Sequence, residues 1–303
     1  MAYGNRVEFR PLDLEAIDER LYEPKYEELT ARQCFDIKND IPAGAETFAY
    51  NVMTRTGVAK IMANAADDLP LVDVDFRREF IRIYTIAVGF TYSLQEMRAA
   101  QMPGTTLKSV DASKADVARR AVAEKENSIV WLGESTYGIK GATNATGIQT
   151  WSVPAGASAQ TKWINKTSNE IIEDIRNLRK KVAVLPGHAT SGNLCLCLPA
   201  DQYEELNRRY SDYDARSIRQ VVDGYDWFSM IHRVPDLKGV GTAGSDSMLV
   251  MDMSFDVVQL VIPMDLTRLQ PEWSYPKWKV PAEERCGGLI IRYPMGFARG
   301  DGI

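Results

Sequence analysis

The chain has 303 residues, 45% of them hydrophobic and 25% charged, and its 36 Lys and Arg stand against 41 Asp and Glu for a net charge of −5. This composition is that of a globular protein of one large or two modest domains. The acidic balance argues against a protein that holds nucleic-acid phosphates, because such proteins carry a basic excess or a basic face. No apolar stretch approaches the roughly 20 residues that cross a bilayer, and the residues after Met1 lack the apolar core of a signal peptide. We therefore expect a chain that is made in a cytoplasm and has no membrane partner.

Residues 1–40 are rich in charge and poor in periodic apolar residues. They contain one amphipathic stretch, from Leu12 to Leu21, which stops before Pro24 because proline is excluded from a helix interior. This segment predicts an N-terminal arm that lies outside any core.

Residues 41–92 contain two stretches of period-two alternation, which is typical of strands. The first is Phe48–Met53 and the second is Tyr84–Tyr92, and we predict that they pair as an extended β-hairpin with Gly57–Asp75 as its insert. A two-stranded ribbon alone is marginal in water, so we expect a neighbouring subunit to steady it. The candidate subunit-contact residues are Phe48, Tyr50, Val52, Arg55, Lys60, Asp67, Asp68, Val72, Val74, Arg77 and Arg78.

A helical region follows the hairpin. Ser93–Gln101 predicts a short helix, and Ser109–Gly133 predicts a long helix of about 37 Å at a rise of about 1.5 Å per residue. Its narrow apolar stripe and its alanines would let it lie close across a sheet. Gly138–Thr161 has no period and is rich in Gly, Ala, Thr and Ser, which predicts a loop and a domain boundary.

Residues 151–254 alternate between helix and strand patterns, which predicts a small α/β domain. Thr167-x-x-Glu170 is a capping box that begins a helix continuing through Val182, and Leu194–Leu198 predicts a buried strand. Further helices are predicted at Ala200–Arg209 and Ser217–Val222, and further strands at Ser247–Met253, Val257–Pro263 and Gly287–Tyr293.

The residue types that carry catalysis or bind metals are sparse. The four cysteines are too scattered for a disulfide framework, and Cys195 and Cys197 are typical of small apolar fillers in a buried strand. The two histidines stand in no metal-ligand spacing, and the Gly-rich stretch 138–147 lacks the Gly-Lys-Ser/Thr of a phosphate loop. We predict no catalytic residue, no cofactor, no metal site and no enzyme.

Residue types alone leave two options open. Ser191 lies near His188, as a nucleophile and its base would, although such neighbours are common by chance. Asp67 and Asp68, with Asp73 and Asp75, are suited as a carboxylate cluster to a divalent cation, and a solvated loop tip is the competing interpretation.

Five stretches, taken in chain order, resemble one protein family. They are Ala65-Ala66-Asp67-Asp68-Leu69-Pro70, Phe90-Thr91-Tyr92-Ser93-x-x-Glu96, Ala118-Arg119-Arg120-Ala121, Leu196-Cys197-Leu198-Pro199-Ala200-x-x-Tyr203-x-x-Leu206 and Arg285-Cys286-Gly287-Gly288-Leu289-Ile290-Ile291-Arg292-Tyr293-Pro294. With the order of elements, they resemble the major capsid proteins of tailed bacteriophages, which have the α+β Hong Kong 97-type fold. The resemblance covers nearly the whole chain. It assigns residues 1–40 to an N-terminal arm, 41–92 to an extended β-hairpin loop, 93–150 to a peripheral domain with a spine helix, 151–254 to an axial α/β domain and 255–303 to return strands of the peripheral domain.

The resemblance implies a structural protein that self-assembles. Its copies would form the hexamers and pentamers of an icosahedral virion capsid, assembled in the host cytoplasm, which encloses double-stranded DNA without binding it specifically. Scaffolding, portal and decoration proteins are the further partners that it suggests. Some shells of this fold cross-link a Lys of the extended loop to an Asn of a neighbour. Lys60 suits the first role, but no Asn follows Asn207, so we expect no such cross-link.

Two alternatives remain at this stage. An encapsulin-type bacterial nanocompartment would share the fold and differ in its cargo. A soluble α/β hydrolase-like or ligand-binding protein would instead be a compact monomer or small oligomer.

Overall fold

The computed structural model describes residues 26–56, 73–100, 110–186 and 193–303. Their α-helices are α1 (Ala31–Cys34), α2 (Leu94–Ala100), α3 (Val110–Leu132), α4 (Ser168–Ala183), α5 (Ala200–Glu205) and α6 (Ile218–Gly224). Their strands are β1 (Ile37–Lys38), β2 (Thr47–Thr56), β3 (Asp73–Arg82), β4 (Tyr84–Ser93), β5 (Gln149–Ser152), β6 (Leu194–Leu198), β7 (Met230–Arg233), β8 (Ser247–Asp252), β9 (Val258–Val261), β10 (Met264–Arg268), β11 (Glu272–Ser274), β12 (Lys277–Cys286), β13 (Gly288–Ile291) and β14 (Phe297–Asp301). None of the helices in these ranges has the length and apolar character needed to cross a membrane.

The strands β2 and β3 form a two-stranded antiparallel ribbon, paired from one end of each strand to the other. The predicted pairing of β2 with Tyr84–Tyr92 is wrong, because the partner is Asp73–Arg82, whose first residues belong to the predicted insert Gly57–Asp75. Within the described part of the ribbon, only the residues at its base pack on a hydrophobic core. Charged residues therefore occur on both faces of β3 and weaken the alternation that marks a strand with one buried face.

The second predicted strand, β4, belongs to what we call the peripheral sheet (β4, β10, β11, β12). It pairs over its whole length with β12, and β10 and β11 pair with β12 as well. The long helix α3 lies against β4 and β12. The sequence analysis missed β10, β11 and β12 because Pro271, Pro276 and Pro281 argue against strands. Pro281 still contributes its carbonyl oxygen, which accepts the N–H of Leu269 at 2.9 Å.

Part of the N-terminal arm predicted over residues 1–40 lies in the hydrophobic core. Residues 1–25 lie outside the described residues, but Ala31, Cys34 and Phe35 are buried. β1 then pairs in parallel with β9 in a three-stranded sheet with β13. The prediction is wrong for this stretch because α1, with four residues, is too short to show a helical period.

The axial sheet has five strands in the order β5-β14-β8-β6-β7. β14 pairs in parallel with β5 and antiparallel with β8, so it does not belong to the peripheral return strands predicted over residues 255–303. β5 lies within Gly138–Thr161, which was predicted as a loop. Both strands are short, and β14 carries the pair Arg299–Asp301 (2.9 Å), in which Asp301 is buried and Arg299 partly buried, so a largely buried strand has a polar sequence.

Helix α4 begins where the capping box predicts. Thr167 Oγ1 accepts the N–H of Glu170 at 3.4 Å, and Glu170 Oε2 accepts the N–H of Thr167 at 2.8 Å. Its apolar stripe, which includes Ile171 and Leu178, packs in the core beneath the axial sheet. The contacts that begin this helix are local, so the sequence alone predicted them.

Strand β6 joins two hydrophobic cores because successive side chains of a strand point to opposite faces. Cys195 and Cys197 point to the core that contains Phe35 and Trp131, and the three leucines of β6 point to the core beneath α4. Both cysteines are fully buried and free, so their predicted role as apolar fillers is confirmed.

Candidate subunit interface

The ribbon β2–β3 has two faces, because residues opposite one another in an antiparallel pair project to the same side. What we call the inner face carries Phe48, Tyr50 and Ile81, which pack on the core around Ile41 and Ile83 of the same subunit. Burial is the main cause that raises the pKa of the Tyr50 hydroxyl above its ordinary value, so this side chain stays neutral at physiological pH. The inner face thus attaches the ribbon to its own subunit.

What we call the outer face of the ribbon carries Met53, Val74, Phe76 and Phe80. The side chains of Phe76 and Phe80 are 67% and 64% exposed. Burying a Phe side chain fully stabilises a protein by about 1.5–3 kcal/mol. A single subunit lacks this stabilisation for the two exposed rings, and a partner surface supplies it when it covers them. Clustered apolar exposure of this kind marks an interaction site.

Positive charges accompany the apolar residues of the outer face. Arg78 and Arg82 alternate with the phenylalanines along β3, and both are exposed. Arg77 projects to the inner face, where its guanidinium lies 2.5 Å from the carboxylate of Glu79. The outer face is therefore apolar with a positive border, which favours a partner surface that is apolar and neutral or acidic.

The contact residues predicted from the sequence divide between the two faces. The inner face carries Phe48, Tyr50, Val52 and Arg77, and the outer face carries Val74 and Arg78. Arg55 stands opposite Val74 in the register. Lys60, Asp67, Asp68 and Val72 lie outside the described residues, as do His188 and Ser191.

Sequence reasoning missed the most exposed apolar residues of the ribbon, Phe76 and Phe80, and with them Met53. A signal for the phenylalanines was present, since they alternate with Val74 and Arg78 at the spacing of one strand face. This alternation is hidden in the sequence because it begins inside Gly57–Asp75, which the sequence predicts to be an irregular insert.

A buried thiol of the core has a shifted pKa but no access to a substrate. A hydrogen bond with Cys197 is the main cause that lowers the pKa of the Cys34 thiol to about 6, but Cys34 is buried beyond the reach of a substrate. Within the described ranges, no three His, Cys, Asp or Glu side chains are placed to hold a metal ion. The ribbon is thus the strongest candidate site, and its chemistry is that of a contact surface.

The chain is similar to known proteins in two ways, through a match to a family model and through solved structures of the same fold. A model of the major capsid protein family matches residues 57–303. No curated protein matches the chain.

Solved structures of phage capsids are similar to this chain over almost its whole length. The capsid of Myoviridae phage XM1 shares 13% identity and a TM-score of 0.81 over 97% of this chain and 99% of that chain. A Mycobacterium phage Bobi chain shares 16% identity and a TM-score of 0.64 over 96% and 97%. The capsid of an empty GTA particle computed with C5 symmetry shares 12% identity and a TM-score of 0.64 over 95% and 94%. Likeness at these identities establishes the fold, so the predicted α+β fold of the Hong Kong 97 type is confirmed.

Proposed function

Since the chain belongs to the major capsid protein family, it is a structural subunit of a viral capsid, and we propose that its copies form the hexamers and pentamers of an icosahedral shell around phage DNA. Self-assembly into a multimeric shell follows from the family and from the capsid structures of the same fold. The alternative of a soluble hydrolase-like or ligand-binding protein is therefore wrong. An encapsulin-type compartment shares the fold, and the family match favours the virion capsid over it.

The outer face of the ribbon carries this proposal at the level of residues. Phe76 and Phe80 are exposed in the single subunit, whereas the inner-face Phe48 packs against its own core. The ribbon therefore extends from an anchored base and presents an apolar face to another copy of the chain. The predicted contact residues Val74 and Arg78 lie on this face and are part of the proposed contact.

The elements support an assignment of domains with boundaries that differ from those of the sequence analysis. The ribbon β2–β3 serves as the extended loop and α3 as the spine helix. The peripheral sheet with α3 forms the peripheral domain, and the axial sheet, including β14, forms the axial domain.

The remaining partners follow from charge and from the shell function. A net charge of −5 suits a wall that encloses DNA without binding it specifically, because like charges repel at short range. Scaffolding, portal and decoration proteins are the further partners of such a shell, and assembly takes place in the host cytoplasm.

Replacing Phe76 and Phe80 with serine tests the proposal. The double variant F76S/F80S should stay folded and lose assembly, because both rings are exposed in the subunit and become buried only against another copy. Sedimentation velocity should show capsomers or shells for the wild-type protein and a single slow species for the variant. The midpoint of thermal unfolding of the isolated subunit should be unchanged.

Two control variants separate assembly from folding. F76L/F80L keeps apolar side chains at both positions and should assemble. F48A should lower the thermal midpoint, because Phe48 packs on the core at the base of the ribbon. Shells of wild-type yield from F76S/F80S would contradict the contact proposed for the ribbon.

A further inference from the structure

One guanidinium joins four elements at the edge of the peripheral domain. Arg32 of α1 donates to Glu126 of α3, with Nη2 2.7 Å from Oε2 and Nε 2.9 Å from Oε1. The same side chain reaches Glu284 of β12 at 3.1 Å and Asp265 of β10 at 2.9 Å. Three carboxyl groups thus surround a single Arg.

The three carboxyl groups differ in their access to water. The side chains of Glu126 and Glu284 are 3% and 2% exposed, whereas Asp265 is 75% exposed and hydrated. A buried carboxylate without a full counter-charge costs several kcal/mol. Because Arg32 supplies one positive charge, it balances one of the two buried carboxylates, and the other is more stable when protonated.

The charges that act most on the Glu284 carboxyl are those of Glu126, Arg32 and Asp265. Arg119 of α3 and Arg268 of β10 line the same cavity, of about 500 Å³. The guanidinium of Arg119 lies 3.5 Å from Asp116, and that of Arg268 lies over the ring of Phe90 at 5.5 Å.

The pKa of Glu284 fits a carboxyl that stays protonated in this cluster. Burial, together with a hydrogen bond to Glu126 and the charge of Glu126, raises the pKa of the Glu284 carboxyl to about 8. Burial also raises the pKa of the neighbouring Cys286 thiol to about 12, so that thiol does not titrate in the same range.

Arg32 belongs to a segment that several contacts fasten to α3. The side-chain oxygen of Asn127 accepts the N–H groups of Thr30 and Ala31 at 3.1 and 3.0 Å. The indole N–H of Trp131 donates to Thr30 Oγ1 at 3.1 Å, and its ring lies 5.3 Å from that of Phe35. The carboxyl pair is therefore placed where its charge acts on the attachment of residues 30–38.

We infer that Glu284 is held protonated beside Glu126, and that loss of this proton loosens residues 30–38 from α3. The inference concerns the single subunit and stands whether or not the ribbon is the assembly contact. When residues 30–38 detach, water reaches the pair and the pKa of Glu284 returns toward that of an ordinary Glu. The attached state thus binds a proton more tightly than the detached state, so attachment is strongest at low pH. It weakens as pH rises and stops changing above about 8.

Hydrogen exchange of the full-length subunit tests the inference. The opening equilibrium of residues 30–38, corrected for the intrinsic exchange rate, should increase by about fiftyfold between pH 6 and pH 8 and level off above pH 9. The variant E284Q should remove this dependence, because glutamine keeps the size and the donor of a protonated Glu. D265N should keep the pH dependence of the opening equilibrium, because Asp265 is exposed to water.

A second variant, E126Q, tests the inference independently if E284Q does not fold. E126Q leaves Glu284 alone with Arg32 and should move the transition to lower pH. A wild-type opening equilibrium that does not depend on pH between 6 and 8, or an unchanged transition in a folded E284Q or E126Q, would overturn the inference.

Discussion

At the scale of single residues, the fold accepts buried charge where a partner of opposite charge is also buried. Lys166 Nζ lies 2.7 Å from Asp174 Oδ2, with side chains 1% and 4% exposed. Asp174 also accepts the indole N–H of Trp163 at 3.1 Å, and Lys166 donates to the carbonyl oxygen of Pro154 at 2.7 Å. Burial raises the pKa of Asp174 while Lys166 and Trp163 oppose that shift. Each charge therefore depends on the other.

Replacing Asp174 with asparagine should lower the free energy of unfolding by about 3 kcal/mol, because it leaves Lys166 as an uncompensated buried charge. Urea denaturation followed by circular dichroism measures this difference. The matched control is D201N, which removes the partner of Lys238 in a pair of similar length (2.8 Å) that is two-thirds exposed. That variant should leave the free energy of unfolding almost unchanged. Equal losses in the two variants would show that burial does not decide the strength of these pairs.

Residue roles could be predicted from the sequence where the partners are close along the chain. The capping box of Thr167 and Glu170 spans one helical turn, and it was predicted correctly. The cluster of Arg32, Glu126 and Glu284 was not predicted, because it needs three distant segments to meet. For the ribbon, the predicted contact residues lie on both faces, since only the fold shows which face the base buries.

At the scale of elements, prediction succeeded where one period runs through one segment. β4, α3 and α4 lie close to their predicted bounds. Strand pairing is a property of two segments, and the alternation within β2 does not indicate whether β3 or β4 lies beside it. The extended hairpin was therefore predicted as an element and given the wrong second strand.

Shortening the ribbon tests whether its outer end contacts a neighbouring subunit. Replacing residues 54–75 with Asn-Gly joins Met53 to Phe76, which are opposite one another, through a two-residue turn suited to a hairpin. We expect a folded subunit, because the core at the base of the ribbon is built from residues outside the replaced segment. Circular dichroism should show cooperative unfolding at an unchanged midpoint. Sedimentation velocity should show that the large species are lost, because the replacement removes Val74 from the outer face and shortens the surface offered to a neighbour.

Either of two results would refute this view of the ribbon. If the shortened protein does not fold, the replaced segment contributes to the core. If it forms shells of normal yield, residues 54–75 are not needed for contact between subunits.

At the scale of the whole molecule, segments distant in sequence meet in the same sheets. β1 pairs with β9, and β14 lies between β5 and β8. Strands near both ends of the chain therefore pair with strands of distant segments, although the order of elements was enough to indicate the fold. Phe76 and Phe80 of the ribbon are exposed in the single subunit and form the centre of the proposed contact between copies.

The central claim is that copies of this chain build a closed shell, and electron microscopy of the purified recombinant protein tests it most directly. The major capsid protein family and the proposed ribbon contact predict closed particles of uniform diameter, or rings of five and six subunits where closure is incomplete. Images should be taken over a range of protein concentration, salt and pH, because contacts at a charged border weaken with salt. Dispersed single subunits under all of these conditions would contradict the account.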